Sequence, residues 1–202
     1  MQGFLYRTQG EFKLAVEKYL QAAPIWRGLK LELEASNTLN NLAWAEAEAG
    51  DFQTALVHCK DGLRMRRKLG RRYLIGLSLN TLGLIETRAG SPERARFHCE
   101  QALKIFREME EAGGIGLACH AYAESLRRMT NTDLLTYGQT IQHLKEASRY
   151  AEEAVKIFTE QAKQPLRLAE AQIEVGCVYR EWARHVPTDN SEREEKVEKS
   201  RV

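Results

Sequence analysis

The chain alternates between segments of helical hydrophobic periodicity and short turns that contain glycine. In LELEASNTLNNLAWAEAEA, and again in DFQTALVHCKDGLRMRRKL, apolar and small residues recur at i, i+3, i+4 and i+7. This period places the apolar residues on one face of an α-helix. The glycine between the two segments suits a helix that ends in the left-handed backbone conformation. The pattern therefore predicts pairs of helices that are joined by glycine turns.

These helix pairs repeat at a fixed distance along the chain. Gly10, Gly50 and Gly90 stand 40 residues apart, and small residues keep the same spacing around them. Small side chains at fixed places allow two helices to approach closely. The repeated small residues are Gly3, Ala43 and Gly83 before the turns, and Ala15, Ala55 and Ala95 after them. A period of this size indicates one helix pair that repeats along the chain, so we predict an all-α solenoid of antiparallel helix pairs.

The repeated unit resembles the tetratricopeptide (TPR) family. The first unit shows the residues that carry the likeness, which are Gly3, Tyr6, Gly10, Glu11, Phe12, Ala15, Tyr19 and Ala22. The usual period of the family is about 34 residues. A longer unit is similar to the extended repeats of Pins/LGN-type spindle-orientation scaffolds and to the sensor arrays of bacterial signalling ATPases and transcriptional regulators. The resemblance implies a right-handed TPR-like superhelix, but it implies little about function because such repeats serve many partners.

The repeat also divides the chain. Residues 1–186 are predicted to form the solenoid, in units of about 1–30, 31–70, 71–112, 113–163 and 164–186. Thr130 stands where the fourth turn glycine would be, and we expect an inserted loop at about 130–142. Residues 187–202 are a charged segment that either frays or begins a further helix. Because the outermost units look incomplete, we expect the chain to be part of a longer protein or a larger assembly.

Composition and charge narrow the class of protein. The 202 residues include 30 basic and 28 acidic side chains, so the net charge of +2 gives no strong case for nucleic acid as a partner. No apolar run is long enough to span a bilayer, and the N-terminus lacks the form of a signal peptide. The four cysteines do not have the spacing of a disulfide framework. A cytoplasmic protein without a membrane partner is therefore expected.

Candidate chemistry is sparse. No arrangement of nucleophile, base and acid and no phosphate-binding loop stands out, so we predict a protein that is not an enzyme and has no cofactor. His58-Cys59 and His98-Cys99 recur one period apart. However, the two cysteines hold the inward position of Tyr19, and neighbouring residues on a helix diverge by about 100°. We therefore expect these cysteines to be core residues and predict no metal site.

The best functional candidates follow from the resemblance. In TPR solenoids the first helix of each unit lines a concave groove, and ligands bind there. Carried over by position, the candidate partner-binding residues are Asn37, Asn40, Asn41, Trp44, Asn80, Thr81, Leu84, Arg88, His120, Glu124, Arg127 and Arg128. The same positions in the first unit hold Phe4, Arg7 and Thr8, and those in the fifth hold Glu170, Ile173, Glu174, Cys177, Arg180 and Glu181. Asparagine amides both donate and accept hydrogen bonds, so a row of them can clamp a peptide backbone.

Each candidate set has a structural alternative. The asparagines are equally explained as solvated residues on an exposed face. The groove arginines can receive carboxylates, or they can simply stabilise the C-terminal ends of their helices. A basic run from Arg64 to Arg72, which includes Arg66, is expected to be a solvated outer face, with contact to a phosphate or an acidic partner as the alternative.

The sequence as a whole predicts a non-catalytic protein–protein interaction module that binds a peptide or protein segment in the concave groove. The alternative is a regulatory or sensor array within a larger signalling ATPase or transcriptional regulator. Such an array would recognise a small ligand or the protein's own catalytic domains.

Overall fold

The computed structural model of the chain describes residues 2–131, 135–187 and 191–201. In these ranges the regular structure is helical throughout, which confirms the predicted all-α solenoid. The helices are α1 (Gln2–Thr8), α2 (Phe12–Gly28), α3 (Glu32–Glu48), α4 (Phe52–Lys68), α5 (Arg72–Arg88), α6 (Pro92–Glu108), α7 (Ala112–Met129), α8 (Tyr137–Glu160), α9 (Pro165–His185) and α10 (Ser191–Lys199).

The glycine turns end the first helices of the early units. Gly10, Gly50 and Gly90 have φ values of 78°, 90° and 80°. Side chains other than glycine rarely adopt this left-handed region, because a Cβ atom would lie too close to the backbone. The turn is followed by a helix start: the carboxylate of Asp51 accepts a hydrogen bond from the backbone N–H of Thr54 at 3.2 Å. A cap of this kind satisfies one of the free N–H groups at a helix N-terminus.

The helices stack in the order of the sequence. Each helix packs against the next, and α3, α5, α7 and α9 also pack successively against one another. These four helices therefore form one continuous layer. Large side chains such as Leu42, Leu82 and Phe106 fill the space between the layers. A Cβ atom at Gly83 would overlap the Sγ atom of Cys99, which explains the small residue at that position.

The cysteines Cys59 and Cys99 are fully buried between helices. Burial raises the pKa of the Cys59 thiol to about 12, because the low dielectric of the core disfavours the thiolate. These side chains act as small apolar core residues. Among the described residues, no group of three or more His, Cys, Asp or Glu side chains is arranged to hold a metal ion.

The fourth unit differs from the expected loop. Residues 137–142 are helical, because α8 begins at Tyr137 and runs for 24 residues. The reason is a capping box: Thr136 Oγ1 accepts from the Gln139 backbone N–H, and Gln139 Oε1 accepts from the Thr136 backbone N–H at 2.9 Å. Of the expected loop, residues 132–134 lie outside the described residues.

The charged C-terminal segment includes α10, which packs against α9. The ammonium group of Lys196 lies 4.1 Å from the ring centroid of Trp182. A cation over an aromatic face is attracted by the electron-rich ring, and the long lysine stem covers apolar surface. Through this contact the strongly charged helix α10 buries part of its surface against α9. None of the helices in the described ranges is long and apolar enough to cross a membrane.

Candidate functional site

A groove of about 620 Å³ runs along the odd-numbered helices, and we call it the inner groove. Its lining residues come from α1, α3, α5, α7 and α9. They include every predicted partner-binding residue except Asn37 and Arg128. The full lining is Arg7, Asn40, Asn41, Trp44, Glu48, Leu77, Asn80, Thr81, Leu84, Arg88, Leu117, His120, Glu124, Arg127, Arg167, Glu170, Ile173, Glu174 and Cys177.

The two remaining predicted residues lie outside the inner groove. The side-chain oxygen of Asn37 accepts a hydrogen bond from Arg66 at 2.9 Å, and Asn37 lines a separate hollow beside α1 and α2. Arg128 lies on the exposed side of α7, where its Nε donates to Glu124 at 3.0 Å. The repeat spacing placed both residues in the groove, but it does not show which neighbouring group a side chain contacts.

Arg7 marks one end of the inner groove. Its guanidinium carbon lies 4.9 Å from the ring centroid of Phe4 and 5.0 Å from that of Trp44. In the described part of the chain it has no carboxylate partner, and its Nε atom is buried without a hydrogen bond. Burial lowers the pKa of Arg7, and the positive charge of Arg167 contributes further to this lowering. Arg7 is therefore an unneutralised cation between two aromatic rings.

The acidic residues of the groove pair with arginines of the chain itself. Glu48 pairs with Arg88, Glu124 with Arg128, and Glu170 with Arg167. Its pair with Glu48 leaves Arg88 less available for a ligand carboxylate than the sequence suggested, and Arg167 is engaged by Glu170 in the same way. Arg167, whose place in the groove the sequence did not predict, lies in the first turn of α9, one helical turn before Glu170.

The most buried of these pairs joins two units. Arg127 on α7 meets Glu174 on α9 through two hydrogen bonds, of 2.7 Å and 3.1 Å. Burial raises the pKa of the Glu174 carboxyl, while the hydrogen bonds and charge of Arg127 act in the opposite direction. The paired geometry suits the planar guanidinium and holds α7 and α9 in a fixed relation.

The amide side chains of the groove are not equivalent. Asn40 Oδ1 accepts a hydrogen bond from the Ser78 hydroxyl at 3.1 Å, and Asn40 Nδ2 donates to Thr81 at 3.4 Å. By contrast, Asn80 Oδ1 is buried without a hydrogen-bond partner, and so is His120 Nδ1. These atoms are donors or acceptors in the groove wall that the described residues leave unmatched.

Behind Asn40 lies a buried arginine that the sequence did not place correctly. Arg66 is 3% exposed, so it is not part of a solvated outer face. Its Nη1 donates to the carbonyl oxygen of Leu74 at 3.0 Å and to Ser78 Oγ at 2.7 Å. Burial lowers the pKa of Arg66 to about 10, so the group remains charged at neutral pH. The sequence did contain a sign that Arg66 is buried, because the equivalent position of the repeat holds the aromatic residues Trp26 and Phe106 in the neighbouring units.

A stack of paired helices with one groove along its inner layer defines a helical-repeat solenoid. Within that class, residues 2–68 match the family model for the tetratricopeptide repeat. Among solved structures, the chain is similar to a crystal structure described as "Podosopora anserina putative kinesin light chain nearly identical TPR-like repeats", with a TM-score of 0.67 and 21% identity. A point variant of the same repeats gives a TM-score of 0.68 at 21% identity. Each comparison covers 99% of this chain and 90% of the other.

No curated protein matches the sequence. The family match and the shared fold confirm the tetratricopeptide-repeat resemblance, and repeats of this family generally mediate protein–protein interaction as non-catalytic scaffolds. The narrower likeness to the extended repeats of Pins/LGN-type scaffolds or bacterial sensor arrays stays a prediction.

Proposed function

We propose that the protein binds a peptide segment of a partner protein in the inner groove, without catalysing a reaction. The observation that carries this proposal is the set of unmatched polar atoms in the groove wall, namely Arg7 Nε, Asn80 Oδ1 and His120 Nδ1. A buried polar group without a partner costs about 1–3 kcal/mol. Native proteins retain few such groups. A bound ligand or water that supplies the missing hydrogen bonds would explain why these three atoms are tolerated.

The groove also favours a particular ligand chemistry. Trp44, Leu84 and Ile173 offer apolar surface along its length. The glutamates are neutralised by arginines of the chain, whereas Arg7 is not, so the groove carries unmatched positive charge at the Arg7 end. We therefore expect the ligand to be a peptide with apolar side chains and one carboxylate, which lies at Arg7.

Selection from a random peptide library displayed on phage tests the proposal. We expect the selected peptides to share an Asp, a Glu or a free C-terminal carboxylate. Replacing both Asn40→Ala and Asn80→Ala is expected to weaken binding of a selected peptide by about thirtyfold, because each amide contributes roughly one net hydrogen bond of about 1 kcal/mol. The melting temperature should fall only modestly, since Asn80 Oδ1 has no partner to lose and Asn40 loses its two hydrogen bonds to Ser78 and Thr81. Isothermal titration calorimetry measures the affinity.

A matched control is the double replacement Gln21→Ala and Gln53→Ala. These amides are exposed on α2 and α4, the outer helices, and do not line the inner groove. The control should bind the selected peptide as the unmodified protein does. Equal affinity for the Asn40/Asn80 variant would contradict the groove assignment.

The cytoplasmic location and the regulatory alternative remain predictions of the sequence. A small ligand of a sensor array would use the same groove residues. It would compete with the selected peptide in the titration, so the proposed site can be tested with either class of ligand.

A further inference from the structure

Arg66 occupies a position that an aromatic side chain fills in the neighbouring units. In unit three, the ring of Phe106 packs so closely against Gly76 and Gly114 that a Cβ atom at either glycine would overlap it. The corresponding positions around Arg66 hold Ser36 and Leu74. Unit two therefore contains a buried guanidinium instead of a ring, and none of the described acidic side chains forms an ion pair with it.

The hydrogen bonds of Arg66 run toward the inner groove. A guanidinium group has donors only. Ser78 Oγ must therefore accept the 2.7 Å hydrogen bond from Arg66 Nη1, and Asn37 Oδ1 must accept the 2.9 Å bond from Nη2. The single proton of the Ser78 hydroxyl is then free to donate to Asn40 Oδ1, at 3.1 Å.

This order of donors fixes the carboxamide of Asn40. Its oxygen is used by Ser78, so its Nδ2 group is turned toward Thr81 in the groove wall, at 3.4 Å. The hydroxyl of Thr81 donates to the Leu77 carbonyl oxygen at 2.9 Å, which leaves the Thr81 oxygen to accept from Asn40. Each bond in the series from Arg66 to Thr81 thus has one permitted direction.

We infer that Arg66 is a positioning residue that, through Ser78, makes Asn40 present an N–H donor to the ligand in the inner groove. This donor is the second N–H of Nδ2, which Thr81 does not use. The inference rests on the proposed function and deepens it: the ligand group at Asn40 is a hydrogen-bond acceptor, such as a peptide carbonyl. A carboxamide has nearly the same shape in its two flipped orientations, so without Arg66 both are available. A donor that is already oriented avoids the entropy cost of ordering it on binding.

The unliganded protein provides the first test. Arg66→Met replaces the guanidinium with a flexible side chain that donates no hydrogen bonds, and Ser78→Ala removes the link to Asn40. We expect both changes to shift and broaden the side-chain amide signals of Asn40 in ¹H–¹⁵N NMR spectra, with the signals assigned by Asn40→Ala. Ser125→Ala is the matched control, because Ser125 is equally buried but its hydroxyl donates only to its own helix, at the Tyr122 carbonyl oxygen. Unchanged Asn40 signals in Ser78→Ala would overturn the inference.

The second test is binding of the library-selected peptide. Ser78→Ala and Arg66→Met should each weaken binding by about fivefold to tenfold, as expected for the loss of one oriented hydrogen bond. In a protein that already carries Asn40→Ala, Ser78→Ala should have no further effect, because the two changes act on the same contact. A purely structural role for Arg66 would change the melting temperature and leave the affinity of the folded protein unaltered.

The outcomes separate the two proposals. If Asn40→Ala weakens peptide binding while Ser78→Ala and Arg66→Met do not, the role of Arg66 is overturned and the proposed function stands. If the peptide binds without any effect of Asn40→Ala, the groove assignment fails, and the NMR measurement still decides whether Arg66 orients Asn40. Should Arg66→Met fail to fold, Ser78→Ala carries both measurements.

Discussion

Arg7 is held at the end of the inner groove by two aromatic rings rather than by a carboxylate. The rings of Phe4 and Trp44 lie about equally far from its guanidinium carbon, at 4.9 Å and 5.0 Å. Contacts of this kind contribute about 0.5–2 kcal/mol and leave the hydrogen-bond donors of the guanidinium free. A carboxylate that approaches Arg7 therefore gains charged hydrogen bonds without first displacing a glutamate.

Replacing Arg7→Gln tests this assignment. The change removes the charge and keeps a polar side chain, so we expect an acidic library-selected peptide to bind about tenfold more weakly, a loss of roughly 1.4 kcal/mol. The remaining affinity should depend less on salt concentration, because screening acts on the lost charge pair. Calorimetric titrations at two ionic strengths measure both effects.

The same replacement at Arg27, an exposed residue near the end of α2, is the control and should leave affinity unchanged. A peptide whose acidic residue is replaced by its amide should bind the unmodified protein and Arg7→Gln equally. If Arg27→Gln weakens binding as much as Arg7→Gln does, general charge attraction explains the result and the site at Arg7 is wrong.

At the scale of the helices, each turn between two units contains one residue with a positive φ, and this residue is not always glycine. Residues 30, 70 and 110 occupy equivalent places, and Lys30, Gly70 and Glu110 have φ values of 58°, 64° and 54°. A non-glycine residue in this region costs about 1–2 kcal/mol. Units one and three therefore carry strain in this turn that unit two avoids.

The same glycine-to-alanine substitution at two sites separates the effect of backbone strain from that of helix propensity. A Cβ atom would meet nothing within 4 Å at either Gly70 or Gly28. Gly70→Ala should lower the free energy of unfolding by about 1 kcal/mol, because φ is positive there. Gly28→Ala should raise it by about 0.5 kcal/mol, because Gly28 is the last residue of α2, where alanine still favours the helical conformation. Urea titrations followed by circular dichroism measure both changes, and an effect of the same sign for the two variants would contradict this account.

The sequence predicts the helices well where the repeat is regular and less well where it is interrupted. The 40-residue spacing places Asn40, Asn80 and their neighbours in one groove, because equivalent residues of stacked units must share a face. It does not reveal that Arg66 points inward, since that direction depends on Ser78 and Asn37 from other helices. The early start of α8 was available from the sequence, because Thr136 and Gln139 have the spacing of a capping box.

At the scale of the whole molecule, a solenoid is held together by contacts between neighbouring units only. Stability is then close to a sum of unit terms and interface terms, so one interface can fail before the others. The last interface contains the buried pair of Arg127 on α7 and Glu174 on α9, whose atoms approach to 2.7 Å. Removing one member leaves the other as an unpaired buried charge, which typically costs about 3–5 kcal/mol.

Glu174→Ala is therefore expected to loosen the C-terminal end of the solenoid. Arg127 would lose its partner, so the free energy of unfolding should fall by about 3 kcal/mol, and amide protons of α9 and α10 should exchange with solvent faster than those of α3 to α6. Glu170→Ala, which breaks the more exposed pair with Arg167 on the same helix, should cost less than about 1 kcal/mol. Arg127→Met combined with Glu174→Met should recover most of the lost stability, because it removes both charges at once. Uniformly faster exchange along the chain in Glu174→Ala would instead show that the solenoid unfolds as one cooperative unit.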